Sequence, residues 1–221
     1  MKVLFVWDFH GTLERNNVKA ICQLVNTVLK YFKIKNKITL KKTVELYGLS
    51  WVEYFKFVYP EGSLKIWTKM KNKAEDLQRK EKIVEKYIKP TPFSKHVLST
   101  IKKQGHRNII LTNSSPTSIK YFVDLVNLNK YFDKYIGLDL HNIIRSGKDI
   151  SKVKSEALEK YLKKHRFDKI VKIGDRESDI KAGKSIGATT YYFRNQYNKN
   201  IKLKIKPDYD ISDLRKILKE L

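Results

Sequence analysis

The chain has 221 residues, of which 41% are hydrophobic and 12% aromatic, a composition that favours one packed domain with or without an insert and argues against disorder. A single cysteine excludes an internal disulfide, and no apolar run approaches the roughly 20 residues of a membrane span. These features, with no secretion signal at the N-terminus, predict a soluble cytoplasmic protein.

The net charge of +24 arises from 47 lysines and arginines against 23 acidic residues. Such an excess attracts polyanions, and it can serve nucleic-acid binding or the capture of small anionic substrates. The basic residues are spread along the whole chain, and no pattern of a nucleic-acid module stands out. A nucleic-acid partner therefore remains an alternative to a small phosphorylated substrate, and the sequence does not indicate an oligomeric state.

The first predicted element is a buried strand over residues 3–7, which ends abruptly at Asp8. Residues 15–88 then have helical patterns with recurring aromatic residues and no strand-like run of comparable strength. Two prolines, Pro90 and Pro92, end this region because neither can continue a helix. We therefore predict an all-helical cap domain over residues 15–88, inserted into a core formed by residues 1–14 and 89–221.

The rest of the chain alternates strand and helix patterns. This alternation predicts an α/β core with a Rossmann-like parallel sheet flanked by helices. The predicted strands are 108–111, 169–173 and 189–193, and the predicted helices are 93–104, 118–128, 155–164 and 178–186.

Polar residues follow three of the predicted strands, where the carboxyl ends of a parallel sheet form one rim. Crowded carboxylates repel one another, and all-oxygen ligation suits Mg²⁺. The sequence thus predicts a magnesium site at this rim. The residues that the rim would bring together are Asp8, His10, Thr112, Asn113, Ser114, Asp175 and Asp179.

Four motifs in order make the chain resemble the haloacid dehalogenase-like superfamily, and the resemblance covers nearly the whole sequence. The superfamily's Asp-x-Asp-Gly-Thr is represented by Asp8-Phe-His-Gly-Thr12, and its Gly-Asp-x-x-x-Asp by Gly174-Asp-Arg-Glu-Ser-Asp179. The superfamily's second motif is a Ser or Thr after an apolar strand, and Thr112 resembles it. Its third motif is a lysine before a helix. Lys152 matches this lysine best, and Lys148 and Lys154 are rival candidates. The insertion after the first motif is where the superfamily places a C1-type cap.

The resemblance implies a phosphatase in which Asp8 attacks phosphorus and forms an aspartyl-phosphate that water then hydrolyses. It also implies Mg²⁺ bound by Asp8, the backbone carbonyl of His10 and Asp175. The phosphoryl oxygens would be held by Thr112, the Asn113 amide and Lys152, while Asp179 would order a metal-bound water or the lysine.

His10 is the departure from this pattern, because phosphatases of the superfamily usually have a second aspartate there as general acid and base. An imidazole can also exchange protons near neutral pH, so we predict that His10 takes over this role. Two alternatives stay open. One is a related phosphotransferase, or a carbon–phosphorus or carbon–halogen hydrolase. The other is a protein with little or no catalysis that binds anions or nucleic acid through its basic surface.

Overall fold

A computed structural model of the chain describes residues 1–80, 82–138 and 149–221. The described residues divide into two compact units, one formed by Met1–Arg15 with Pro90–Leu221 and the other by Asn16–Lys89. Each boundary between the two units lies one residue further along the chain than the boundary predicted between the core and the cap. Lys148, one rival for the phosphate-binding lysine, lies outside the described residues.

The first unit is built on a six-stranded sheet with the order β5-β4-β1-β6-β7-β8. Every neighbouring pair in this sheet is parallel, which confirms the predicted α/β fold. Its strands are β1 (Val3–Trp7), β4 (Arg107–Thr112), β5 (Lys134–Gly137), β6 (Lys169–Gly174), β7 (Thr189–Phe193) and β8 (Tyr209–Ile211), while β2 (Glu14–Arg15) and β3 (Lys89–Pro90) form a separate two-stranded sheet.

Strand β1 lies at the centre of the sheet because all five of its residues are apolar and can be buried on both faces. Its Trp7 Nε1 donates a hydrogen bond to Asn108 Oδ1 at 2.9 Å, which ties β1 to β4 inside the core. The helices of this unit are α6 (Ser94–Lys103), α7 (Pro116–Leu125), α8 (Ile150–Leu162) and α9 (Glu177–Ser185), with 3₁₀ segments at Asn129–Tyr131 and Leu214–Glu220.

Helix α8 begins five residues earlier than the sequence predicts. Asp149 caps it, since its carboxylate accepts a hydrogen bond from Ser151 N at 2.8 Å. The buried residues of α8 are Ser151, Lys154, Ser155 and Leu158, which follow the i, i+3, i+4, i+7 spacing of one helix face. The position of this buried face around the helix determines which lysine of α8 is buried.

The second unit contains five helices in its described residues. Helix α3 begins with a capping box in which Ser50 and Glu53 exchange side-chain and backbone hydrogen bonds. The unit's own core includes Tyr54, Phe55 and Met70. Its helices are α1 (Asn17–Tyr31), α2 (Leu40–Glu45), α3 (Trp51–Val58), α4 (Leu64–Lys80) and α5 (Ile83–Tyr87). In the part of the chain that the structure describes, no helix is both long and apolar enough to cross a membrane.

Candidate active site

Three aspartates meet at the carboxyl ends of β1 and β6. These strands pair in register from Val3 with Lys169 to Trp7 with Ile173, so Asp8 and Asp175 follow neighbouring strand ends. Asp179 lies in the first turn of α9, which follows β6 directly. One carboxylate oxygen from each of the three aspartates lies within 4.8 Å of the others, so the predicted convergence of these three side chains is present in the structure.

This cluster fits a divalent cation. All three side chains are buried, and Asp175 Oδ1 has no hydrogen-bond partner among the described residues. A buried carboxylate oxygen that accepts no hydrogen bond is costly, and Arg176 Nε, 3.9 Å from Asp175 Oδ1, offsets that cost only in part, whereas a hard cation with oxygen ligands would offset it further. The donor set, three carboxylates without sulfur, is the kind that Mg²⁺ binds.

The pKa values of the aspartates also indicate that additional positive charge would stabilise the cluster. Burial, reinforced by the nearby Asp179 carboxylate, raises the pKa of Asp8 to about 6. Burial also raises the pKa of Asp175 to about 7. Burial alone would raise the pKa of Asp179, but Lys154 and Lys172 outweigh it and hold that pKa below its usual value. Asp179 is therefore neutralised by lysines, whereas Asp8 and Asp175 are the carboxylates that a cation would stabilise.

Two buried lysines accompany the aspartates. Lys154 Nζ lies 2.9 Å from Asp179 Oδ1 and 3.8 Å from Asp8 Oδ1, and Lys172 Nζ lies 2.6 Å from the same Asp179 oxygen. Burial lowers the pKa of Lys172. Burial also disfavours the charge of Lys154, but Asp179 and Asp8 together outweigh it and raise its pKa. Lys154 is thus a fixed cation beside Asp8.

The choice of Lys152 as the lysine of the site does not agree with this geometry. The Lys152 side chain is exposed on α8, two residues away from the buried face, whereas Lys154 lies on that face and contacts two of the aspartates. The sequence signal that selects Lys154 is its spacing of four residues from Leu158, a core residue of the same helix. Lys154 therefore replaces Lys152 as the candidate phosphate-binding lysine.

His10 is held from two sides in the turn after β1. Its Nδ1 lies 2.9 Å from Glu14 Oε1, and its Nε2 lies 3.1 Å from Ser114 Oγ, in the loop that follows β4. The imidazole also packs edge-on against the rings of Phe9 and Phe122. Glu14 was not predicted as a site residue, although its spacing of four residues from His10 is visible in the sequence.

The turn between Asp8 and Glu14 depends on Gly11, whose φ of +82° lies in the left-handed region. A Cβ at this position would lie 2.2 Å from Asp175 Oδ2, so a side chain here would disturb the aspartate cluster. Asn195 Nδ2 donates to both Gly11 O, at 2.9 Å, and Asp175 Oδ2, at 3.0 Å. Asn195 therefore orients Asp175, a role that no motif in the sequence indicates.

Thr112 and Asn113 lie at the end of β4, beside the loop that reaches His10. The Thr112 side chain is buried, and its Oγ1 accepts a hydrogen bond from Ser114 N at 3.4 Å. The side-chain oxygen of Asn113 is buried without a hydrogen-bond partner among the described residues. The role of these two residues in binding a ligand remains a prediction.

Residues 5–193 match the sequence model of the haloacid dehalogenase-like hydrolase family. A protein of Caldanaerobacter subterraneus provisionally named as the pyrophosphatase PpaX is 28% identical over 99% of this chain and 94% of its own length. The phosphoglycolate phosphatase of Aquifex aeolicus is 29% identical over 47% of this chain and 46% of its own length.

Solved structures share the fold at low sequence identity. A Clostridium difficile protein provisionally named as a phosphatase superposes with a TM-score of 0.76 at 19% identity, over 98% of this chain and 97% of that one. CbbY from Rhodobacter sphaeroides, solved in complex with phosphate, has a TM-score of 0.74 at 14% identity, over 98% of this chain and 96% of that one.

Proposed function

Because the chain belongs to the haloacid dehalogenase-like hydrolase family, we propose that it is a magnesium-dependent phosphatase that transfers the phosphoryl group of small phosphate monoesters to Asp8 and then to water. The observation that carries this proposal is the meeting of Asp8, Asp175 and Asp179 with the buried cation of Lys154 at one rim of the sheet. The names of the relatives, a pyrophosphatase and a phosphoglycolate phosphatase, support phosphoryl chemistry on small substrates.

Asp8 is the proposed nucleophile because it is the most accessible aspartate of the cluster. Its side chain is 8% exposed, whereas those of Asp175 and Asp179 are 3% and 0% exposed. In the first step an Asp8 oxygen forms a bond to phosphorus while the bond from phosphorus to the alcohol oxygen breaks, and His10 gives that oxygen a proton. In the second step His10 takes a proton from water, the water oxygen attacks phosphorus, and the Asp8–phosphorus bond breaks to release phosphate.

The other residues supply charge and position. Lys154 neutralises the phosphoryl oxygens that approach Asp8, while Thr112 and the Asn113 amide hold those oxygens at the end of β4. Asp179, paired with two lysines, fixes the Lys154 ammonium in place. Asp8, the His10 backbone carbonyl and Asp175 would hold Mg²⁺, which supplies neutralisation of the negative charge shared by the phosphate and the carboxylates.

A phosphate-release screen tests the proposal directly. It would compare many phosphomonoesters, including phosphoglycolate, together with inorganic pyrophosphate, each with Mg²⁺ and with excess chelator. We expect magnesium-dependent release from a subset of the small esters. If nothing in the panel releases phosphate in either condition, the proposed function is wrong.

Metal removal gives a prediction with a readout other than turnover. Chelation should stop phosphate release, and Mg²⁺ added to the metal-free protein should raise its melting temperature more at about pH 8 than at about pH 5.5. The reason is that the pKa values of Asp8 and Asp175, near 6 and 7, let protons compete with the cation at the lower pH. Asp175→Asn should weaken Mg²⁺ affinity by roughly 10²-fold or more, measured by calorimetric titration.

The matched control for the metal prediction is Asp124→Asn, which changes an exposed aspartate of α7. It should bind Mg²⁺ and respond to pH as the wild type does. Full phosphate release in excess chelator, or an equal stabilisation by Mg²⁺ at both pH values, would contradict the assignment of these carboxylates.

Replacement of His10 should affect substrates according to their leaving groups. His10→Ala should lower turnover of alkyl phosphates by about 10²–10⁴-fold, because the departing alkoxide then lacks a proton donor. An aryl phosphate needs little protonation, so its first step should lose less and a burst of phenol should precede slow turnover. Stopped-flow absorbance measures the burst.

The comparison that sharpens this prediction is His10→Asp, which restores the family's usual residue. Lower activity in His10→Asp than in wild type would show that the surroundings are adapted to imidazole. Equal activity of His10→Ala and wild type on every substrate would refute the acid–base role and leave residue 10 with only its backbone carbonyl at the site.

A further inference from the structure

Glu14 is a fully buried acidic residue in the first unit, and the mechanism above leaves it unused. Its Oε1 contacts His10 Nδ1 at 2.9 Å and also accepts a hydrogen bond from Gly11 N at 3.3 Å. Its other oxygen, Oε2, has no hydrogen-bond partner among the described residues. Burying a carboxyl group in this way costs stability, so a gain elsewhere is expected to offset that cost.

The gain is not the turn itself. Gly11 N also donates to the main-chain oxygen of residue 14, at 3.2 Å, so the turn keeps a backbone hydrogen bond whatever side chain stands there. An apolar side chain of similar size at position 14 would fill the same space without the cost of burying a carboxyl group. The contact of Glu14 that such a side chain cannot replace is the one with His10 Nδ1.

This contact can select the tautomer of His10. An ionised Glu14 has only acceptor oxygens, and Oε1 already accepts from Gly11 N, so opposite such a carboxylate Nδ1 would donate its proton to Oε1. In the neutral ring the proton on Nδ1 leaves Nε2 as the basic nitrogen. Nε2 can then accept a hydrogen bond from the hydroxyl of Ser114, 3.1 Å away. The rings of Phe9 and Phe122 pack edge-on against the imidazole and restrict its orientation.

We propose that Glu14 is a positioning residue that acts through His10. It keeps a proton on Nδ1 in both steps, so the proton that the imidazolium ring gives to the leaving oxygen comes from Nε2, and the neutral ring that results takes a proton from the attacking water at the same Nε2. The inference rests on the proposed function for its catalytic consequence, but the tautomer itself can be measured without any turnover. The tautomer measurement does not require the metal.

The kinetic test uses Glu14→Leu, which removes the acceptor but keeps the size, and Glu14→Gln, whose carbonyl oxygen can still accept from Nδ1. With alkyl phosphates, Glu14→Leu should lower kcat by about 10²-fold, at the lower end of what acid–base catalysis supplies. Glu14→Gln should recover most of this loss. KM should change little, because Glu14 is not among the residues proposed to hold the phosphoryl group.

A double-mutant cycle separates this role from a structural one. If Glu14 acts through His10, then Glu14→Leu should cost less than about 2-fold once His10→Ala is already present, since coupled residues are not additive. Equal losses from Glu14→Leu in the presence and absence of His10 would show a merely structural role and overturn the inference.

The spectroscopic test is the ¹⁵N chemical shifts of histidine-labelled protein at a pH where the ring is neutral, with His10→Ala to assign the signals. In the wild type, Nδ1 should have the shift of a protonated nitrogen and Nε2 that of an unprotonated one. Glu14→Leu should populate the opposite tautomer. Ser114→Ala, which leaves the Nδ1 contact in place, should keep the wild-type tautomer.

The two proposals fail in different ways. An Nε2-protonated His10 in the wild type, or an unchanged tautomer in Glu14→Leu, contradicts the positioning role even if the protein is an active phosphatase. A tautomer change in Ser114→Ala contradicts it as well. Absence of phosphate release from every ester contradicts the proposed function, whereas the ¹⁵N shifts still decide whether Glu14 fixes the ring. Circular dichroism of each variant shows whether it is folded.

Discussion

Asp8→Asn should abolish phosphate release, with a loss of roughly 10⁴-fold or more. An amide of nearly the same shape cannot attack phosphorus and form the acyl phosphate, so the first step is lost. The measurement is the initial rate of phosphate release at saturating Mg²⁺. Asp124→Asn, the exposed control on α7, should retain the wild-type rate.

The fold should survive this substitution. The pKa of Asp8 is raised in the folded state, so ionising this group opposes folding as pH rises above the pKa of the unfolded chain. In the metal-free protein at about pH 8, Asp8→Asn should therefore melt at the same temperature as the wild type or higher. A folded Asp8→Asn variant with activity within tenfold of wild type would refute the nucleophile assignment.

Lys154→Met should lower kcat/KM by about 10²–10³-fold, the loss expected when a fixed donor to a developing oxyanion is removed. The reason is the position of its ammonium, 3.8 Å from Asp8 Oδ1 and held by Asp179 at 2.9 Å. Methionine keeps the length of the apolar stem but lacks the charge. Lys172 still pairs with Asp179 in this variant, so that carboxylate keeps a partner.

The same helix offers the matched control. Lys152→Met removes an identical charge two residues away, from an exposed position on α8, and kcat/KM should stay within about twofold of wild type, as for most surface substitutions. Rates measured side by side, with circular dichroism to compare folding, distinguish the two lysines. Comparable losses in both variants, or a loss confined to Lys152→Met, would contradict the assignment of Lys154.

The centre of the sheet could be predicted from sequence, whereas its edges could not. Strand β1 is buried on both faces and has a continuous apolar run, and β7 was predicted with the bounds that the structure gives. The two edge strands, β5 and β8, were missed. They have three or four residues each, and only one of those seven residues is buried, so they lack a continuous hydrophobic signal.

The site shows a similar division. Asp8, Asp175 and Asp179 could be predicted to meet, because each lies next to a strand end and parallel topology brings those ends together. The sequence favoured Lys152, whereas the structure places Lys154 beside the aspartates, because the choice between them requires the extent of α8, which begins at Ile150 rather than 155. Asn195, more than 180 residues from Gly11 in the chain, reaches the site through the tertiary fold alone.

The stereochemical course at phosphorus tests the central claim, a phosphoryl group carried on Asp8, most directly. Each in-line displacement inverts the configuration at phosphorus, so transfer to Asp8 and then to water should give overall retention. The measurement uses a phosphorothioate ester made chiral with one oxygen isotope, hydrolysed in water that contains another, with the configuration of the released thiophosphate as the readout. Retention is the predicted result, and it does not require the intermediate to accumulate. Inversion would show direct attack by water and would contradict the account.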